Sequence, residues 1–162
     1  METLKKEKVD LLELSMNNEK GFEPSGKNIF FYDGVCAYCK DIVNACLTSD
    51  KDKLFYYSPL QSHFAQNALK RYGINSLDLL SMYVISNYNT SEEFLMNAAA
   101  ASNFVLTRMH GELKNVGIEN SKKPRAQQDE EYKEVADTRY EKYGKFDDVD
   151  VPTPQFRNNF IF

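Results

Sequence analysis

An α/β fold, with helices on both faces of a small mixed sheet in three layers, is what this sequence predicts. Three observations carry the expectation. Short runs rich in Phe, Tyr, Ile and Val recur at Ile29-Phe30-Phe31-Tyr32, residues 54–57 and residues 82–85, and each is bounded by turn residues. Segments of helical period separate them. A length of 162 residues at 42% hydrophobic suits one core of ordinary size rather than two.

Along the chain, residues 2–17 place Leu4, Leu11, Leu12 and Leu14 among charges and predict a short helix with a ragged apolar stripe. Gly21, Pro24, Ser25 and Gly26 mark residues 18–27 as a linker. The first core strand, residues 28–32, stops at Asp33-Gly34. Beyond it Cys39, Ile42, Val43, Cys46 and Leu47 fall at i, i+3, i+4, i+7 and i+8, the buried stripe of an amphipathic helix. A second strand at 54–57 closes at Ser58-Pro59, and residues 62–72 form a helix ended by Gly73. A third strand covers 82–85, and residues 87–90 read as a turn or very short strand. Four consecutive alanines within residues 92–109 predict a long third helix. Residues 117–128, polar and containing Pro124, read as a linker. Residues 129–143 are charged and helix-compatible, with Tyr132, Val135, Ala136 and Tyr140 on one side. Pro152 and Pro154 bar the Phe-rich end from a central strand and make it an extended docking tail. The order β-α-β-α-β-(β)-α is that of a thioredoxin-like domain.

Composition narrows the function classes. Twenty basic and 24 acidic residues are well mixed at a formal net charge of -4, so no basic face for nucleic acid stands out. Eleven Phe and 10 Tyr with no Trp suit a packed sheet or a protein-binding surface. Three cysteines are too few and too odd for a secreted disulfide scaffold and point to a reducing compartment. Glu2, Glu7, Asp10 and Glu13 interrupt every apolar run at the start, against a signal peptide or a presequence. No stretch approaches the roughly 20 apolar residues of a membrane span. The expected location is intracellular, in cytoplasm or mitochondrion.

Cys36 and Cys39 form a Cys-x-x-Cys pair at a strand-to-helix turn. At the first turn of a helix, unpaired N–H groups and the positive dipole end favour a thiolate. The i, i+3 spacing brings the second sulfur within disulfide reach. The stripe turns Cys39 inward and leaves Cys36 at the exposed end, which assigns Cys36 as nucleophile and Cys39 as resolving thiol. Cys46, about 10 Å further along a helix, is a core residue. Other readings fit two cysteines at a helix start. They serve equally as inert packing residues, and a zinc site would need ligands that only Cys46, His63 and His110 are left to supply, none in a paired spacing. Asp33 is the third candidate catalytic residue: a carboxylate there accepts or relays the proton of Cys39 while raising the pKa of Cys36, and Asp-Gly is equally an ordinary turn. Lys40 is the nearest cation in sequence, solvated or offsetting Asp33.

The run Phe31-Tyr32-Asp33-Gly34-Val35-Cys36-Ala37-Tyr38-Cys39 resembles the signature of the DCC family of predicted thiol-disulfide oxidoreductases. Leu60-Gln61-Ser62 is similar to that family's Leu-Gln-Ser, and Arg139-Tyr140, Gly144 and Pro152-Thr153-Pro154 resemble its closing motif. The resemblance implies a thioredoxin-like fold with a Cys-x-x-Cys active site. It spans residues 28–162 and divides the chain into an N-terminal extension at 1–27, a core at 28–116, and a linker, helix and tail at 117–162 belonging to the same domain. Val149 stands where many relatives carry a further cysteine, and residues 73–81 lack the proline that thioredoxins present opposite their cysteines.

Two functions follow. One is dithiol/disulfide exchange on a protein thiol or disulfide substrate, with no bound cofactor and no metal. The other is a non-catalytic accessory or scaffold subunit of a larger assembly, of mitochondrial and membrane-associated kind, in which the N-terminal leucines and the aromatic tail are interfaces.

Overall fold

A computed structural model describes residues 3–4, 11, 24–150, 152 and 154–162. Along these run β1 (Thr3–Leu4), β2 (Asn28–Tyr32), α1 (Ala37–Ser49), β3 (Phe55–Pro59), α2 (His63–Lys70), a 3-10 turn (Ser76–Asp78), β4 (Tyr83–Ser86), β5 (Phe94–Asn97), α3 (Ala98–Thr107), α4 (Glu112–Ser121), α5 (Arg125–Tyr143), β6 (Lys145–Phe146) and a final 3-10 segment (Pro154–Asn159). The main sheet has the order β3-β2-β4-β5. Strand β2 pairs parallel with β3 and antiparallel with β4, and β4 pairs antiparallel with β5. The parallel pair is joined by the α1 crossover, as parallel strands require.

Period-2 alternation in β2 builds both cores at once. Phe30 and Tyr32 pack with Val43, Cys46 and Leu47 of α1 and Ala101 and Val105 of α3. Ile29 and Phe31 face the other way, against Ala65, Ala68 and Leu69 of α2. The result is the three-layer α/β arrangement expected of a thioredoxin-like domain.

Four expectations change. Residues 92–109 are not one helix: Phe94–Asn97 pairs along β4, and the helix begins only at Ala98, whose N–H meets Ser81 Oγ at 3.0 Å. Ladder bonds to β4 and packing override the helix propensity of the segment. Residues 117–128 are no linker either, because α4 runs to Ser121 and α5 starts immediately after Pro124. Pro is tolerated at a helix start, where its missing N–H costs nothing, so it begins α5 here. The C-terminal residues, third, dock on the domain itself. Phe160 bridges Tyr57 in parallel, Ile161 N–H donates to the Tyr57 carbonyl at 2.9 Å, and Phe160, Ile161 and Phe162 are buried in the two cores. At the N-terminus, fourth, Thr3–Leu4 is a strand paired parallel with Lys145–Phe146, and Leu11 packs on the core. The remainder of the helix expected at 2–17, the linker through residue 23, and residues 151 and 153 lie outside the described residues. Among the described residues no helix is long and apolar enough to cross a membrane.

Helices α3 and α4 meet closely at Gly117, where a Cβ would lie 2.7 Å from Leu106 Cβ and 2.8 Å from the Thr107 nitrogen. Gly117→Ala is expected to lower stability by about 1–3 kcal/mol through overpacking, read as a reduced urea midpoint at unchanged slope; an unchanged midpoint would show that the helices separate freely.

Candidate active site

The turn after β2 is built from its own atoms outward. Asp33 Oδ1 accepts the Val35 N–H at 3.1 Å, and Cys36 N–H donates to the Asp33 carbonyl at 3.2 Å. This sets Cys36 as the N-cap of α1, with Sγ accepting the Cys39 N–H at 3.2 Å. The cap role that Ser or Asp oxygen usually fills is taken by sulfur. Gly34 has no room for a side chain: a Cβ would stand 2.9 Å from Val149 Cγ1 and 3.0 Å from Gln61 Oε1.

The Leu60-Gln61-Ser62 triplet braces that turn. Leu60 N–H donates to the Tyr32 carbonyl at 2.7 Å. Gln61 accepts from Gly34 N–H at 2.9 Å and donates to Asp33 Oδ1 at 2.8 Å. Ser62 caps α2 by accepting the Ala65 N–H at 3.0 Å.

From α5, Arg139 Nη2 reaches Asp33 Oδ2 at 3.1 Å and the Leu79 carbonyl at 3.1 Å, and the Tyr140 hydroxyl donates to the same carboxylate oxygen. Asp33 is 4% exposed, so its charge is stabilised by these donors rather than by water. Leu79, held by Arg139, has φ +52, a left-handed conformation that a branched side chain resists. The cation partnering Asp33 is therefore Arg139; Lys40 instead pairs with Asp150 at 3.3 Å and lies over the Phe146 ring. An Arg139 pairing with an acid on the core is expected from the sequence, but spacing does not name Asp33 as that acid, since Arg139 and Tyr140 stand more than 100 positions from it. Their place in the closing motif was the available signal.

Cys36 is not at an exposed end, as the stripe alone suggests. Cys36 is fully buried and Cys39 half-buried. The helix stripe describes α1 alone, whereas the backbone at Cys36 is also paired with residues 144–150. There Cys36 bridges Lys145, Phe146 N–H donates to the Val35 carbonyl at 2.8 Å, Ala37 N–H to the Gly144 carbonyl at 3.3 Å, and Asp150 N–H to the Gly34 carbonyl at 2.8 Å. Cys39 lines a cavity of about 320 Å³ between α1, the segment before β4, and α3, α4 and α5.

The sulfurs also differ in acidity. The Cys39 thiol donates to the Cys36 sulfur, which lowers the Cys36 pKa; burial opposes this and the Cys39 N–H adds to it. Cys39 moves well up, because its proton is held in that bond and because it is buried. Asp33 pushes both upward and Arg139 offsets it. Cys46 is a buried core residue whose thiol is pushed up to about 12 by desolvation and then by Asp50. His110 pairs with Asp52 at 3.0 Å, remote in role from the cysteines, and among the described residues no group of three or more His, Cys, Asp or Glu is placed to hold a metal.

The model of the DCC1-like thiol-disulfide oxidoreductase family matches residues 30–145, from β2 through the start of β6. A protein of Bacillus subtilis (strain 168), named "Uncharacterized protein YuxK", is 25% identical over 133 residues, covering 82% of this chain and 93% of its own. No solved structure gives a significant match.

Arg139→Met leaves a buried carboxylate without its cation and is expected to cost about 3 kcal/mol in chemical denaturation. The double variant Asp33→Asn/Arg139→Met is expected to lose clearly less than the two single losses added together; strict additivity would show the two groups to be uncoupled.

Proposed function

This chain belongs to the DCC1-like thiol-disulfide oxidoreductase family, and on that premise we propose that Cys36 and Cys39 carry dithiol/disulfide exchange, with Cys36 as nucleophile and Cys39 as resolving thiol. The observation that carries the reading is the donation of the Cys39 N–H to Cys36 Sγ at the start of α1. A sulfur so placed is stabilised as thiolate.

The Cys36 thiolate attacks one sulfur of a substrate disulfide. That S–S bond breaks, and the departing substrate thiolate leaves. Cys39 then gives up its proton to the departing side and attacks Cys36 Sγ, expelling the second substrate thiolate. The substrate is reduced by two electrons and the protein pair becomes a disulfide. Cys36 has no exposed surface, so entry to it requires the packing around the turn to open. Asp33, with both oxygens already engaged by donors, acts as a positioning residue that shapes the turn.

One observation favours the second reading, a non-catalytic subunit: Cys36 is fully covered. Turnover of a peptide disulfide with dithiothreitol as donor separates the two. Loss of turnover in Cys36→Ser supports exchange, and a wild-type chain without turnover supports the scaffold.

Acidity is tested independently of access. Opening scales the alkylation rate at every pH, but the inflection of the rate against pH reports the thiolate. Because the Cys36 pKa is lowered, the inflection is expected below that of a free cysteine. Cys39→Ala removes the S–H donor and is expected to move it upward; an inflection in the wild-type chain at or above that of a free cysteine would sink the assignment.

A further inference from the structure

We infer that the cavity beside Cys39 is the binding site of the electron donor, and that this donor is a compact, uncharged dithiol which attacks Cys39 Sγ in the oxidised pair. The inference rests on the exchange chemistry proposed above and names the reductant for it. Three observations lead there.

The first is which sulfur the cavity reaches. Its wall includes Cys39 and not Cys36. At about 320 Å³ it has the size of a small-molecule site and not of a protein strand or helix.

The second is the wall's chemistry. Ile42, Met82, Val105, Leu106, Leu113 and Val135 line it. Two more lining residues, Leu80 and Val116, stay 75% and 46% exposed, which keeps apolar surface open to an incoming molecule.

Charge compensation is the third. Both carboxylates on the wall are already paired, Asp33 with Arg139 at 3.1 Å and Glu131 with Lys123 at 2.7 Å. A charged thiol such as glutathione would shed water there without gaining a partner. An uncharged one loses nothing of the kind.

The exchange balances with no other reagent. One donor thiolate attacks Cys39 Sγ; the Cys36–Cys39 bond breaks, and its electron pair leaves on Cys36. Cys36 is the better leaving group of the two, since its thiolate receives the Cys39 N–H. The donor's second thiol loses its proton and attacks the donor sulfur of the mixed disulfide, expelling Cys39 as thiolate, which takes up that proton. The donor leaves as a cyclic disulfide, oxidised by two electrons, and the protein pair is again a dithiol. Donor and substrate thus meet different sulfurs from different sides.

The test uses the full oxidised chain and three dithiols: dithiothreitol, dihydrolipoamide, and dihydrolipoate, which carries a carboxylate on the same skeleton. Dihydrolipoamide is expected to reduce the protein with saturation and at least tenfold faster than dihydrolipoate at low concentration. The redox-inert 5-cyclopentylpentanamide is expected to compete. Ser102→Phe, which fills the cavity, is expected to abolish saturation; if that variant does not fold, competition in the wild-type chain decides. Benzyl mercaptan, quenched with iodoacetamide, is expected to leave its adduct on Cys39 and the alkyl group on Cys36. Equal, unsaturated rates for all three dithiols, or an adduct confined to Cys36, overturn the donor site while the exchange reading stands. A chain whose Cys36–Cys39 pair no dithiol reduces overturns both.

Discussion

The arrangement depends on one buried carboxylate. Asp33 sits at the end of β2, where the strand must hand over to α1, and a charge so nearly removed from water persists only if donors surround it. They come from three parts of the chain: Val35 in its own turn, Gln61 after β3, and Arg139 and Tyr140 on α5. Satisfying Asp33 therefore positions α5 beside the cysteines, where it lines the cavity together with α1. Arg139 in turn holds the Leu79 carbonyl, which fixes the left-handed residue in the segment before β4. One side of the cavity and the cysteine turn are consequences of the same ion pair.

Much of this frame was legible because its signals are local. The aromatic run of β2, the α1 stripe, the helix after Ser58-Pro59 and the place of Cys36 at a strand-to-helix turn each depend on residues within one or two turns of one another. What was not legible is long-range. Phe94–Asn97 reads as the start of an alanine-rich helix until β4 is beside it to supply a ladder. Residues 112–121 are too polar for a clear stripe, yet α4 gains its place through the close approach at Gly117. The aromatic end reads as a partner-binding tail, but Phe160, Ile161 and Phe162 find their partners in the two cores of their own domain.

The same distinction explains the cysteines. Thiolate stabilisation at Cys36 is local, arising from the first turn of α1 and from Cys39, so chain spacing anticipates it. The pairing of residues 34–37 with residues 144–150 comes from more than 100 positions away, and the periodicity of α1 contains nothing about it. The closing motif acquires a physical meaning from this. Arg139 and Tyr140 neutralise and brace Asp33, Gly144 accepts the Ala37 N–H, and the strand that follows lies along Cys36.

Separating acidity from access has a chemical consequence. A stabilised thiolate left open to solvent reacts with any disulfide or oxidant that reaches it, whereas one under a hydrogen-bonded strand reacts only when that strand yields. Cys39, protonated in the reduced pair, can face a cavity without the same hazard, because a thiol is a poor nucleophile. In the exchange proposed for this pair, oxidation reverses the protection: the sulfur on the cavity wall is the one a donor reaches, and Cys36 departs as the more stable thiolate. On that proposal the backbone pairing beside Cys36 and the cavity at Cys39 give the two half-reactions separate entrances.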